Sequence, residues 1–514
     1  MSSNKFCEIL IVGAGTSGSV VATRLAQAGF NVTLIEAGPD FGPQKENRWP
    51  SEIVDDKFVG EETDFDWGYT AKLGSKEIRY LRGKIVGGSS AINASGINWG
   101  LKNDYDEWKK LGLTNWDFDS MLPFFKKVEN LKDRNYSDIS RGTSGELQVS
   151  RQKAEGAYFK SFIETCKNRG YNFIDATGPD SSEGYGFVTR NSVNGKREHP
   201  SKVYLDQVRG LKNFSIIANC EVIRIIWKNK KAQAVEALHN NKRIVINTDH
   251  LILCSGSVGS PTLLQRSGIG PYELLKELDF LTSESKIIDG VGKNLQDHFG
   301  IRFSYLPSKY GMQNIDWGQS ESMRIRLKEK SEDVGHNLTL SSFVGSHIKN
   351  NEELASHANR IQFVTWLVKP ISVGYLKIAS TNYQIDPVIN FQFNNEQDIE
   401  SLLFALKFAK KFISEEPIKK WIDQSSGLQN IANKKDIINW INDNLSYYYH
   451  MVGTCRMGNE LDDGSVVNER GLVHGFDNMY IFDASIMPQI PRGMLNLTVF
   501  TIAEKMAKHF IEKY

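Results

Sequence analysis

The stretch that most constrains this chain is residues 7–38, CEILIVGAGTSGSVVATRLAQAGFNVTLIEAG. Residues 9–12 are an apolar, β-branched run of the length expected for a strand buried on both faces. Gly13, Gly15 and Gly18 follow in the spacing G-x-G-x-x-G and lead into a helical pattern over 19–28. Gly29 ends that pattern, and residues 32–35 read as a second strand with Glu36 at its carboxyl end. Each piece serves a dinucleotide. Gly13 permits the tight turn, Gly15 lets the backbone approach a pyrophosphate, and Gly18 lets helix and strand pack closely. The helix amino end offers unpaired N–H groups and a positive dipole end to the phosphates. Glu36 stands about 20 residues on, where an acid accepts from a ribose hydroxyl. A lone glycine fingerprint is weak, but strand, glycines, helix, strand and acid together specify a dinucleotide site.

The length, 514 residues, allows two or three domains and a large core. With 62 basic against 61 acidic residues, neither nucleic acid nor an anionic membrane surface is indicated as a partner. The five cysteines, Cys7, Cys166, Cys220, Cys254 and Cys455, are scattered and lack C-x-x-C spacing, which argues against disulfides and a metal site. The amino terminus reads as a short polar lead rather than a signal peptide, and no apolar run reaches membrane-spanning length. The sequon at Asn496 falls inside a candidate active-site segment and so does not argue for secretion. The expected compartment is the cytoplasm.

A second glycine cluster lies in RYLRGKIVGGSSAINASGINWG, residues 79–100. Gly87-Gly88 followed by Ser89-Ser90 favours neither helix nor strand interior, and marks backbone that passes close to something flat or bulky. Its apolar neighbours Ile85, Val86, Ala91 and Ile92 point to a buried loop against a ligand rather than a surface loop.

Three segments together resemble signatures of the glucose–methanol–choline (GMC) family of flavoenzymes: residues 13–18, GAGTSG; residues 87–93, GGSSAIN; and residues 256–270, GSVGSPTLLQRSGIG. The segment 104–129 is also similar to the one that follows the double-glycine loop in that family. The resemblance runs from Ile9 to about Asp297, fades, and returns from His450 to the end. It implies that the dinucleotide is FAD. It implies an α/β fold: a Rossmann-like FAD-binding domain, discontinuous in sequence, plus an α+β substrate domain with an antiparallel sheet. The expected division gives residues 1–150, 201–300 and 441–514 to the FAD domain and 151–200 and 301–440 to the substrate domain. Within the last span, runs such as 361–369 and 374–378 among helical patterns such as 399–412 themselves suit a sheet with covering helices. One helix is expected over 157–168, with strands over 213–226 and two short ones over 242–254.

By resemblance, the FAD contacts fall on Gly13, Gly15, Thr16, Ser17, Gly18, Glu36, Ala37, Gly83, Val86, Gly88, Ser89, Asn93, Ala94, Val222, Ser255, Gly256, Asp483 and Ala484. Val222 would lie near the adenine, Asn93 near the flavin's reactive edge, and Asp483-Ala484 by the ribityl–pyrophosphate region. Some members bind FAD covalently through a histidine in the double-glycine loop. Here the corresponding place reads Ala91-Ile92-Asn93, so non-covalent FAD is expected.

The carboxyl segment carries YYYHMVGTCRMG, residues 447–458, and PRGMLNLTVFTIAEKMA, residues 491–507. His450, preceded by aromatics and followed by a glycine turn at Gly453, resembles the family's active-site histidine. Oxidising an alcohol requires removal of its hydroxyl proton while hydride leaves carbon for flavin N5, and a neutral imidazole suits that base role. The resemblance places Asn496 as a second catalytic group that would hold the substrate oxygen. Here Met494 and Leu495 replace more usual polar residues, and Thr498 stands where proline is common. His298, in GVGKNLQDH, is read as a structural loop residue rather than a catalyst.

The expected activity is FAD-dependent oxidation of a primary or secondary alcohol to an aldehyde or ketone, with electrons passed to O₂, giving H₂O₂, or to another acceptor. A non-redox hydroxynitrile lyase shares the fold and a histidine base, but relatives of that kind are typically secreted. A light-driven fatty acid decarboxylase and a non-enzymatic FAD-binding protein account less well for the segments around His450 and Asn496. The sequence does not name the alcohol: choline-like, sugar, aromatic and furan alcohols stay open. Trp317, Trp366 and residues 447–449 suit an apolar pocket or simple core packing equally.

Overall fold

A computed structural model describes residues 5–56, 63–74, 76–132, 141–152, 154–317, 321–330, 333–344, 359–428 and 434–514. The apolar run at the start of the fingerprint becomes the strand Lys5–Val12, whose Ile9, Leu10 and Ile11 are fully buried. It pairs in parallel with Val32–Ile35 on one side and Lys242–Leu253 on the other, so both of its faces are covered. Among the described residues this sheet has seven strands. Phe214–Ile217 lies outside Val32–Ile35, Lys231–His239 and Cys220–Lys228 extend the other edge antiparallel, and Met479–Ile481 joins Lys242–Leu253 in parallel. One sheet therefore draws strands from the beginning, middle and end of the chain.

Several expected elements shift. The fingerprint helix, Thr16–Gln27, begins three residues earlier than its pattern, because Gly15 itself serves as the amino cap. The run over 213–226 divides at Asn219, whose φ of 49° turns the chain between Phe214–Ile217 and Cys220–Lys228. Residues 242–254 hold one long strand, Lys242–Leu253, because its polar stretch pairs along the hairpin strand Lys231–His239. That hairpin turns at Asn229-Lys230, both with positive φ, as a two-residue loop between twisted strands requires. The helix Ala157–Asn168 lies where its pattern placed it.

A second core surrounds a six-stranded antiparallel sheet in the order Leu445–Tyr447, Phe299–Tyr305, Ile361–Leu367, Leu338–Val344, Glu321–Leu327, Gly184–Phe187. The helix Glu396–Ile413 covers one face, burying Leu402, Ala405, Ala409 and Phe412. Its amino end is capped by Asn395, whose side chain accepts from the N–H of Gln397.

The carboxyl helix Asn496–Lys513 packs on the fingerprint helix through Glu504, whose side chain is buried. Glu504 accepts from Arg24 Nε (2.9 Å) and Nη2 (2.7 Å) and from Tyr204 Oη (3.1 Å), and pairs with Lys127 (2.8 Å). A buried carboxylate needs such partners to offset its desolvation. The clamp fixes the start of the carboxyl helix, and with it Asn496, against the glycine turn. Among the described residues no helix is long and apolar enough to cross a membrane.

Candidate active site

The glycines of the fingerprint are held by contact. A Cβ on Gly18 would stand 1.8 Å from the carbonyl oxygen of Gly13, and Gly13 has a φ of +99° with Cys254 behind it. A Cβ on Gly88 would lie 2.7 Å from Cα of Gly15, so the double-glycine loop presses directly on the fingerprint. Thr16 and Ser90 share a hydrogen bond (2.6 Å), and Ser90 donates to Oδ1 of Asn496 (2.6 Å). Nδ2 of Asn496 is buried without a partner among the described residues. An uncapped helix amino end, a glycine cradle and an orphaned amide donor together fit the phosphates of a dinucleotide.

Glu36 is buried, with Oε2 accepting from the N–H of Ala14 and Oε1 from that of Gly38, both at 2.9 Å. A carboxylate keeps further lone pairs, so a ribose hydroxyl can join these backbone donors. Burial pushes its carboxyl up to about 7, against the backbone donors that favour the charged form. Ala37 follows it, and Val222 sits two residues past Cys220, whose N–H donates to the Glu36 carbonyl (2.9 Å). The expected adenosine residues thus lie where the end of Val32–Ile35 meets the start of Cys220–Lys228.

Other expected contacts are already spent on protein. The Ser17 hydroxyl points inward and donates to the Phe482 carbonyl, which leaves only its backbone for a cofactor. Asp483 caps two segments at once, accepting from the N–H groups of Gly256 (2.9 Å) and Ser485 (2.9 Å) and from the Ser260 hydroxyl. Ser255 Oγ donates to Val12 (3.1 Å), and Ala484 opens the short turn that follows Asp483. Oδ1 of Asn93 accepts from the Ser95 N–H (2.9 Å) and from Arg197 (2.9 Å), while the Ala94 carbonyl accepts from Arg190 (3.2 Å). Ser89 Oγ accepts from the Gly83 N–H (3.2 Å), and the Val86 side chain is fully buried. These side chains thus hold the cradle in place, while Asp483 and Asn93 keep hydrogen-bonding capacity beyond the partners named.

His450 is brought to its place by strand register. Phe299 pairs with Tyr447, and Gln296 bridges Val452, so residues 298 and 450 face each other across the seam. Nδ1 of His298 lies 2.9 Å from Nδ1 of His450, and Nε2 of His298 lies 3.2 Å from the Pro491 carbonyl. A carbonyl only accepts, so a neutral His298 carries its proton on Nε2 and offers Nδ1 as acceptor. His450 then carries its proton on Nδ1 and presents a bare Nε2. Burial pushes His298 down to about 3. Burial also holds His450 well below the usual histidine range, reinforced by the fields of His298, Arg82 and Arg324. His298, read from the sequence as a structural loop residue, packs edge-on against His450 and sets which of its ring nitrogens carries the proton.

Asp297 locks the pair from behind. Its Oδ1 accepts the backbone N–H of both His298 (2.7 Å) and His450 (2.9 Å), and its Oδ2 accepts from the Tyr80 hydroxyl. Burial pushes Asp297 up to about 6, opposed by these donors and by Arg82. Arg82 in turn donates to Tyr80 Oη (2.7 Å) and to the carbonyl of Tyr449 (2.8 Å), which sits at a φ of 61° beside the base. The Tyr448 ring stacks on the imidazole of His450 with centroids 4.6 Å apart and planes 5° from parallel.

His450 and His298 line one cavity with Arg324, His336, Thr339 and Met494. Asn496, expected beside His450, is not among the lining residues; the first turn of the carboxyl helix carries it to Thr16 and Ser90. Met494, two residues earlier, takes the cavity position. Asn496, expected to hold the substrate oxygen, instead lies against Thr16 and Ser90 of the glycine cradle. Asp297, Tyr80, Arg324 and His336 were absent from the sequence-based set. The adjacent acid and histidine of NLQDH were the only local signal for the first.

Residues 7–300 match the family pattern described as GMC oxidoreductase in its amino-terminal part, and residues 370–503 match the carboxyl-terminal part. The chain is 29% identical over 538 residues to an oxygen-dependent choline dehydrogenase of Proteus mirabilis (strain HI4320), covering 97% of this chain and 95% of that one. In structure it resembles pyridoxine 4-oxidase from Mesorbium loti, with a TM-score of 0.87 at 24% identity over 99% of this chain and 100% of that one. It also resembles a formate oxidase, with a TM-score of 0.87 at 22% identity over 100% of this chain and 99% of that one. These last two likenesses speak for the fold alone. With the family pattern matched at both ends and a dinucleotide cradle beside a buried histidine pair, the chain belongs to the GMC oxidoreductases, FAD-dependent enzymes acting on CH–OH groups.

Proposed function

We propose that this enzyme oxidises a primary or secondary alcohol to the aldehyde or ketone, with Nε2 of His450 taking the hydroxyl proton. The observation that carries this reading is the relay Pro491 carbonyl, His298, His450, which leaves the lone pair of Nε2 free. Bound FAD supplies the two-electron acceptor for the hydride that leaves the substrate carbon. The cradle of Gly13, Gly15, Gly88, Thr16 and Asn496 would hold its phosphates, and Glu36 its adenosine ribose. Without a histidine at Ala91-Ile92-Asn93, the FAD is held non-covalently.

His450 stays neutral in its buried setting, so the base is present before substrate arrives. Asp297 holds its backbone, Tyr448 holds its ring plane, and His298 holds its tautomer. Oxygen is the proposed electron acceptor, giving H₂O₂, as the name of the Proteus relative, an oxygen-dependent choline dehydrogenase, supports.

The test is anaerobic flavin bleaching by an alcohol panel, followed by peroxide release in air. His450→Ala should retain FAD and lose flavin reduction; unchanged reduction kinetics would overturn the base assignment. Flavin that no alcohol bleaches would overturn the alcohol reading.

A further inference from the structure

The cavity beside His450 contains a cation without an anion. Arg324 lies on the strand Glu321–Leu327 and is 4% exposed. Its Nε donates to Ser341 Oγ at 3.3 Å, and Nη1 donates at 2.7 Å to the Asn98 side-chain oxygen, with that amide turned so its nitrogen donates to Ile97. Among the described residues, Nη2 makes no hydrogen bond and no carboxylate lines the cavity. The neighbouring buried arginines are not left in this state. Arg326 donates to the carbonyls of Ala176, Gly178 and Asp180, and Arg492 pairs with Asp104.

Two further polar atoms in the same wall lack partners. Nδ1 of His336 and Oγ1 of Thr339 are buried and unbonded among the described residues, and both residues line the cavity. An uncompensated buried guanidinium costs several kcal/mol, and each orphaned buried polar atom asks for a missing partner. An oxyanion in this cavity would accept from the free edge of the guanidinium, within a wall that also holds the two unpartnered atoms.

We infer that Arg324, His336 and Thr339 form a subsite for an oxyanion carried by the substrate, so that the alcohol oxidised here is a small hydroxy acid or a phosphorylated alcohol. The inference rests on the alcohol-oxidation reading for its reaction, but not for its binding site. It separates this chain from choline oxidation, because a quaternary ammonium placed here would face an uncompensated guanidinium.

The test uses the FAD-loaded enzyme and two measurements. In the first, acetate and inorganic phosphate, which carry no oxidisable hydroxyl, are titrated while the flavin absorbance band is followed. Saturable perturbation by either one is expected, weakened about 10–100-fold in Arg324→Gln and largely restored in Arg324→Lys. Acetate alone assigns a carboxylate, and phosphate alone a phosphate ester. No perturbation by either, or equal affinity in Arg324→Gln with FAD content unchanged, would overturn the subsite. In the second, anaerobic bleaching compares 2-, 3- and 4-hydroxy acids and glycerol phosphate with their methyl esters and glycerol. Faster bleaching by the anions, lost in Arg324→Gln, supports the inference. Equal bleaching by the neutral partners overturns it while leaving the alcohol reading intact. Anion binding without bleaching by any alcohol sustains the subsite and removes the reaction.

Discussion

The His298–His450 pair gives the sharpest consequence of this structure. Replacing His298 with phenylalanine keeps a ring of similar size in the core but removes both hydrogen bonds, to Pro491 and to His450. The Nδ1–H of His450 is then buried without an acceptor, at a cost of about 1–3 kcal/mol. The ring escapes that cost by moving its proton to Nε2, the atom that must be bare to accept the substrate's proton. At 1.4 kcal/mol per factor of ten, the productive tautomer falls about 5- to 150-fold, and the rate of flavin reduction falls with it. His298→Asn places an amide oxygen near the lost Nδ1 and should recover most of the rate. Anaerobic stopped-flow reduction reads both variants, with FAD content and Tm measured alongside to separate orientation from folding. If His298→Phe holds its FAD and reduces at the rate of the unaltered enzyme, the relay does not set the tautomer and the argument fails.

Two other outcomes follow from the same geometry. His450 itself should contribute no limb to the rate near neutral pH, because burial lowers its pKa and so keeps its basic form present to lower pH. The rate should therefore be flat from about pH 7 to 9, with the acid limb near 6 arising as Asp297 gains its proton; a profile in Asp297→Asn that keeps this limb would refute the assignment. Gly88→Ala should lower FAD occupancy and cost about 1–3 kcal/mol of stability, since Gly88 has a φ of +54° and its Cβ would meet Gly15 at 2.7 Å. Absorbance of the purified protein at flavin and protein wavelengths measures occupancy, and full loading in the variant would contradict the cradle.

What the sequence revealed and what it hid divide by distance along the chain. The fingerprint was legible because strand, turn, helix and acid follow one another within about 20 residues. The local pattern around His450 singles it out as a candidate, but it does not point to His298 as its partner. That contact depends on strands 299–305 and 445–447 pairing in one register, and a shift of one residue would turn His298 away. The contacts of Asn496 with Thr16 and Ser90 are hidden in the sequence for a related reason. The bend at Gly493 and the start of the helix at Asn496 separate neighbours that look interchangeable in PRGMLNLT. Arg324 was the hardest to see. In ESMRIRL, alternating arginines read as the solvent face of a strand, whereas both Arg324 and Arg326 are buried.

The burial of Arg324 also explains how a base and a cation can share one small cavity. An alcohol gives up its proton only to a histidine that is unprotonated when the substrate arrives. The positive charge of Arg324 is among the influences that hold His450 neutral, after burial and alongside His298 and Arg82. A carboxylate in the same wall would do the reverse, raising the histidine toward its charged and useless form. Among the described residues the one carboxylate at the base, Asp297, spends its oxygens on two backbone N–H groups and a phenol instead of on the imidazole. The same arrangement favours the reaction beyond the ground state. On the proposed reading, as the hydroxyl proton moves to Nε2, negative charge grows on the substrate oxygen in a site already biased toward positive potential. The residues that keep the base neutral thus also favour the charge that its action creates.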